Sequence, residues 1–285
     1  MIDVVRVETL DDPRIADFKN IPDPVRLRAR GAFVAEGRFA VRRLIADSRF
    51  PVRALLVTPT ALESLKDTLS DARAFPIYVA SRSWIKEIGG YDFHQGCLGL
   101  AERPDPETAA ALLDRLDRRR PIVILEQVGN PDNVGGIFRN AAAFGVSAVL
   151  LSPGCCDPFY RKAVRTSIAT SLLVPFAVVN DWPDGLEVLR RRGYDLVALT
   201  PDADATCLAD YRFSERGRGI ALMLGNEGDG LSSLALATAD ARVRIPLEPA
   251  VDSLNVATTA AVVLHRVHDL SARDRLVEPP DTESS

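Results

Sequence analysis

The chain has 285 residues, 47% of them hydrophobic and 26% charged, with a formal net charge of −4 at pH 7. That balance excludes a mostly disordered protein, and the length allows two domains. The slight negative charge excludes a globally basic nucleic-acid binder, so any surface for RNA has to be a local patch.

In chain order, the N-terminal stretch MIDVVRVETLDD lacks the positive start of a signal peptide, and no apolar run reaches the length of a membrane span, so a cytoplasmic protein is expected. Residues 1–105 read as one small α/β domain that begins basic and helix-like. Between residues 24 and 43, Arg26, Arg28, Arg30, Arg38, Arg42 and Arg43 face the single acid Glu36, with Phe33 and Phe39 interleaved. Such a segment is either a solvated helix face or an RNA-binding patch. Strand candidates follow at 53–58, 75–80 and 97–102, with helical patterns between them. Residues 106–120, with Pro106 and the charged run DRLDRRR, have the composition of a linker.

From residue 121 the pattern alternates regularly. Strands are predicted at 121–126, 147–152, 172–179, 194–200, 219–225 and 241–247. Helices are predicted at 136–144, stopped by Gly145, at 184–192, stopped by Gly193, and from about 253 to 270. This alternation predicts a mostly parallel sheet covered on both faces, with ligands at the carboxyl ends of the strands. Residues 271–285 are polar, contain Pro279 and Pro280, and read as a mobile tail. Cys97, Cys155, Cys156 and Cys207 form no C-x-x-C pair and are expected to be mostly buried thiols.

Three loops at strand ends carry the functional signal. The first, VGNPDNVGGIFRNAAAFG, has a turn-initiating Asn130-Pro131, a helix cap at Asp132 or Asn133, and a Gly135-Gly136 pair that lets backbone approach a ligand. Ile137, Phe138, Ala141 and Phe144 face the core, leaving Arg139 and Asn140 near the strand ends. Taken alone, this stretch reads first as a well-capped surface helix with a solvated arginine. In the second, LGNEGDGLS at 224–232, Gly225, Gly228 and Gly230 free the backbone while Asn226 and Glu227 supply polar groups. It is not the first-strand G-x-G-x-x-G of dinucleotide-binding proteins. The third, IPLEPAVDSLNVATTAAVVLHR at 245–266, ends a strand at Pro246 and starts a long helix at Ser253 or Asn255. Its small residues Ala257, Thr258, Thr259, Ala260 and Ala261 suit close helix packing, within the chain or at a dimer contact.

In this order, the three loops resemble the SpoU (TrmH-like) branch of the SPOUT superfamily of RNA methyltransferases. The pattern N-P-x-N-x-G-x-x-x-R is matched by Asn130, Pro131, Asn133, Gly135 and Arg139, and L-G-N-E-G-x-G-L by residues 224–231. The pattern I-P-x-x-x-x-x-S-L-N-V-A is matched by Ile245, Pro246, Ser253, Leu254, Asn255, Val256 and Ala257. The resemblance covers residues 121–268 and, more loosely, 25–101, where ARGAFVAEGRFAVRRLI is similar to the L30e-like substrate-binding domain often fused to these enzymes. One departure is the stretch SIATS, with Ala169 where the family often has a glycine-containing segment.

The resemblance implies methyl transfer from S-adenosylmethionine to a ribose 2'-hydroxyl in structured RNA; by analogy, the extra N-terminal domain favours ribosomal RNA, with a transfer RNA ribose methyltransferase as the alternative. The enzyme would be a homodimer whose catalytic domain, residues 121–270, is an α/β fold with a deep trefoil knot. It implies cofactor contacts from Thr200, Leu224, Gly225, Asn226, Gly228, Ile245, Pro246, Leu254 and Asn255. Catalysis would fall to Arg139, supported by Asn133, Glu227, Ser253 and Asn255, and RNA contacts to Arg26, Arg28, Arg30, Arg38, Arg42 and Arg165. A guanidinium stays protonated in proteins, so Arg139 suits binding the adjacent phosphate and polarising the hydroxyl better than acting as a base. No metal is expected: His265 and His268 sit three residues apart on the last helix, and His94 lies in the other domain. The rival readings are a base-methylating SPOUT enzyme, a noncatalytic RNA-binding protein on the same fold and a dinucleotide-dependent oxidoreductase.

Overall fold

The computed structural model describes residues 3–19, 24–47, 49–70, 75–89, 96–213 and 218–277. The chain divides into two compact units, Met1–Pro106 with Asp157–Leu173, and Glu107–Cys156 with Val174–Ser285.

The first unit is built on β1 (Asp3–Arg6), β2 (Ala32–Glu36), β3 (Val52–Val57), β4 (Pro76–Val79) and β5 (Cys97–Glu102), in the order β1-β4-β3-β5-β2. β1, β4 and β3 run parallel, while β5 is antiparallel to both β3 and β2. Side chains alternate between faces, as a strand's two-residue period requires. Leu55, Val57 and Ile77 pack with Val41, Leu65 and Leu69 from the helices Arg38–Ala46 and Pro59–Ser70. Ala54, Leu56 and Tyr78 pack on the opposite side with Phe18, Leu27 and Ile85.

Residues 32–36, expected inside a helix-like basic start, form the buried strand β2 instead. Gly31 and Gly37, both at positive φ, bracket it, and it pairs with β5 through Phe33 opposite Ala101 and Ala35 opposite Gly99. The inserted segment Asp157–Leu173, predicted as part of the catalytic domain, belongs to this unit. Phe159 stacks on Phe33 at 4.8 Å and meets Phe50 edge-on at 5.7 Å. Arg103 forms two hydrogen bonds to Asp157, of 2.6 and 3.1 Å, with its guanidinium 5.0 Å from the Phe159 ring. Glu36, buried on β2, pairs with Arg161 and Arg165 of the same segment at 3.6 and 3.4 Å.

The second unit holds β6 (Ile122–Leu125), β7 (Ala148–Leu151), β8 (Phe176–Val178), β9 (Tyr194–Leu199), β10 (Thr206–Cys207), β11 (Gly219–Leu224) and β12 (Ala241–Arg244). All pairs are parallel, in the order β10-β12-β9-β11-β6-β7-β8. Strands β6 and β7 are buried throughout, as a parallel sheet covered on both faces demands. The predicted linker contains a helix, Ala109–Asp114, capped by Thr108 and burying Leu112 and Leu113 in this unit's core.

The helix predicted from residue 136 begins earlier, as Pro131–Ala143. Asn130, rather than Asp132 or Asn133, is its cap, accepting a 2.9 Å hydrogen bond from the Asp132 amide, and Pro131 takes the first helical position, where its missing N–H costs nothing. The last helix, Val256–Val277, runs into the predicted tail: SARDRLV holds no proline or glycine to stop it. The rest of that tail, 278–285, lies outside the described residues, as does His94. Among the described residues no helix is long and apolar enough to cross a membrane.

Candidate active site

A cleft of about 270 Å³ opens at the carboxyl ends of β9, β11 and β12, lined by Thr200, by residues 224–231, and by Ile245, Ser253 and Leu254. Leu199, Leu236, Val243 and Val256 give it apolar walls. Predicted cofactor residues Thr200, Leu224, Gly225, Asn226, Gly228, Ile245 and Leu254 line it together with predicted catalytic residues Glu227 and Ser253, whereas Pro246, Asn255, Asn133 and Arg139 do not.

The glycine-rich loop is held by its own contacts. Asn226 Oδ1 accepts from the amides of Gly228 and Asp229 at 2.7 and 2.8 Å, so this side chain shapes the turn. A Cβ on Gly225 would lie 2.0 Å from the carbonyl carbon of Gly230 and 2.3 Å from the Leu231 nitrogen. The missing side chain lets the two limbs of the loop touch, while Gly225 itself still lines the cleft. Gly136, expected to admit a ligand as well, sits against the last helix, where its Cβ would be 3.0 Å from that of Ala257. Ala257 and the buried Ala260 therefore serve packing within the chain, and Asn140 Nδ2 donates to the Ala257 carbonyl at 2.8 Å.

Asn133 joins the three loops. Its Nδ2 donates to Glu227 Oε1, and its Oδ1 accepts from Asn255 Nδ2 at 2.9 Å. Asn255 Oδ1 in turn accepts from the amides of Ala257 and Thr258, at 2.9 and 3.2 Å, and so caps the last helix. The order of donors and acceptors is self-consistent, which matters because Asn133 is buried and an unmatched amide there would be costly. Arg139, on the helix that carries Asn133, is exposed and makes no hydrogen bond or ion pair among the described residues.

Sequence reasoning missed Glu126, 2% exposed at the end of β6. Its carboxylate accepts from Trp182 Nε1 at 2.6 Å and from the Ser232 amide and hydroxyl, both at 2.7 Å. The available signal was an acid closing an otherwise apolar strand. Nearby, burial pushes the Cys155 thiol up, and its Sγ donates to the Leu125 carbonyl at 3.3 Å. His265 and His268 lie against the Phe144 ring, at 5.8 and 6.0 Å, and among the described residues no three His, Cys, Asp or Glu side chains gather as a metal site would require.

In the first unit the predicted RNA-binding arginines are partly engaged. Arg30 pairs with Asp17, Arg42 donates to the Ser64 carbonyl at 2.6 Å, and Arg165 pairs with Glu36. Arg26 and Arg38 sit on exposed helix faces, and Arg28 lines a small hollow with Arg103 and Tyr160. Phe33 turns inward, while Phe39 is 71% exposed beside Arg38.

A profile of the SpoU rRNA Methylase family matches residues 120–265. A tRNA/rRNA methyltransferase of Mycobacterium tuberculosis, itself named as uncharacterized, is 40% identical over 269 residues, 93% of this chain and 91% of that one. The 23S rRNA (guanosine(2553)-2'-O)-methyltransferase of Bacillus subtilis is 22% identical over 262 residues, 92% of this chain and 98% of that one. Among solved structures, the AdoMet-bound rRNA methyltransferase from Sinorhizobium meliloti shares the fold with a TM-score of 0.79, over 96% of this chain and 99% of its own, at 24% identity.

Proposed function

The chain belongs to the SpoU rRNA Methylase family, and on that premise we propose that it transfers a methyl group from S-adenosylmethionine to a ribose 2'-hydroxyl of structured RNA, ribosomal rather than transfer RNA. The observation that carries the reading is the Asn133 link between Glu227 and Asn255, which ties the first loop to the rim of a half-apolar cleft. The cleft suits a nucleoside: Leu199, Leu236 and Val243 offer apolar contact to a base, and the backbone of residues 224–230 offers amides and carbonyls. When bound there, S-adenosylmethionine supplies an electrophilic methyl on a sulfonium. Glu227 Oε2, which has no partner among the described residues, accepts a hydrogen bond from a ribose hydroxyl. Arg139 binds the phosphate beside the target ribose and polarises its hydroxyl, so that phosphate or solvent takes the proton.

In this reading the loops following β11 and β12 are the knotted part of the chain, and two copies form a dimer through the second unit. The first unit is the L30e-like RNA-binding domain, its exposed arginines and Phe39 facing the substrate. The test is to incubate the protein with isotope-labelled methyl donor and bulk RNA, digest to nucleosides and identify the product by mass spectrometry. A 2'-O-methylnucleoside is expected with wild type and none with Arg139→Ala. Label on a base would overturn the ribose assignment.

A further inference from the structure

Glu126 holds both ends of the glycine-rich loop at once. Its backbone amide donates to the Leu224 carbonyl at 2.9 Å, fixing the point where the loop leaves β11. Its carboxylate receives the Ser232 amide on Oε2 and the Ser232 hydroxyl on Oε1, fixing the point where the chain leaves the loop. The Ser232 hydroxyl also accepts from the Ala235 amide at 3.1 Å, so the same contact sets the start of the helix Ser233–Thr238. Between these anchors lie Gly225, Asn226, Glu227, Gly228 and Gly230, all lining the cleft.

A glutamine cannot replace this acid. The carboxylate meets three donors with two oxygens, the remaining one being Trp182 Nε1. An amide has a single acceptor atom and in either orientation would turn its NH2 toward the Ser232 amide or the Trp182 indole N–H, which can only donate. At 2% exposure no water replaces the lost acceptor. We propose that Glu126 is a positioning residue for methyl-donor binding: it clamps residues 225–231 in the shape that receives the donor without touching the donor itself. This rests on reading the cleft as the donor site.

The experiment titrates S-adenosylhomocysteine, the demethylated donor, into full-length wild type, Glu126→Gln, Ser232→Ala and Trp182→Phe by calorimetry. It is paired with melting temperatures and amide hydrogen exchange of the loop. Glu126→Gln should weaken binding about tenfold or more, the usual loss for a hydrogen bond to a charged group, and speed exchange at residues 225–232. Ser232→Ala should shift both in the same direction by less. Trp182→Phe removes a donor from the same carboxylate but leaves both Ser232 contacts, so it should lower the melting temperature while affinity stays within about twofold. A folded Glu126→Gln with wild-type affinity overturns the proposal, as does Trp182→Phe weakening binding as much as Glu126→Gln. If Glu126→Gln does not fold, unchanged affinity and loop exchange in Ser232→Ala overturn it. Wild type that fails to bind at all strikes the donor-site reading first, and the role of Glu126 with it.

Discussion

A series of glycine substitutions in the loop after β11 separates self-packing of the loop from ligand approach. A Cβ at residue 225 would stand 2.0 Å from the Gly230 carbonyl carbon. Carbon atoms rest at about 3.5 Å or more, so Gly225→Ala must push the limbs apart by about 1.5 Å. Overpacking of this kind costs about 1–3 kcal/mol of stability. If the displaced wall forfeits two hydrogen bonds to a bound ligand, at about 1 kcal/mol each, affinity falls about thirtyfold. Gly230 has open space where a Cβ would go but a φ of +69°, so Gly230→Ala suffers only backbone strain, about 1–2 kcal/mol. At Gly228 a Cβ would make an ordinary 3.5 Å contact with Asn226 Oδ1, and Gly228→Ala should stay within about 0.5 kcal/mol of wild-type stability. Denaturant melts and calorimetry with S-adenosylhomocysteine give both quantities. Wild-type affinity in Gly225→Ala, or a Gly228→Ala as unstable as Gly225→Ala, would refute the reasoning.

Four further outcomes are expected. Arg14 beside Asp12 holds that carboxyl down at about 2 from an ordinary 3.8, so its contribution is complete above pH 3.8 and lost as pH falls through about 2. The melting difference between wild type and Asp12→Asn should shrink over that window, and a constant difference down to pH 2 would contradict it. Burial pushes the Cys97 thiol up to about 12, so in native protein at pH 8 it should resist alkylation, which peptide mass spectrometry reads directly; labelling there without unfolding would count against the fold. Phe159→Ala removes a ring packed on Phe33, Phe50 and Arg103, and should cost about 3 kcal/mol or more and open residues 157–173 to proteolysis; an unmoved denaturation midpoint would show that the cluster matters little. Mixing Arg139→Ala with Gly225→Val, whose bulkier side chain is expected to abolish donor binding, should restore activity if the dimer shares its sites, and confirmed heterodimers that stay inactive would rule that out.

What the sequence determined by itself was whatever depends on local pattern. Apolar runs located most of the strands of the parallel sheet, and the family resemblance carried by the loops after β11 and β12 picked out Leu224, Gly225, Glu227, Ile245, Ser253 and Leu254, which with Thr200 line one cleft, whereas Asn133 and Arg139 of the first loop do not line it. Only the tertiary structure decided the rest, because it turns on partners far apart in the chain. Residues 32–36 are a strand because β5, more than sixty positions on, supplies its hydrogen bonds, and Phe159 covers it from a segment that sequence order assigns elsewhere. The same distance hid Glu126, whose contacts to Ser232 span 106 positions. It also hid the work of Gly225 and Gly136, since a missing side chain shows only that something comes close, and packing alone reveals whether that neighbour is a ligand or the protein's own backbone.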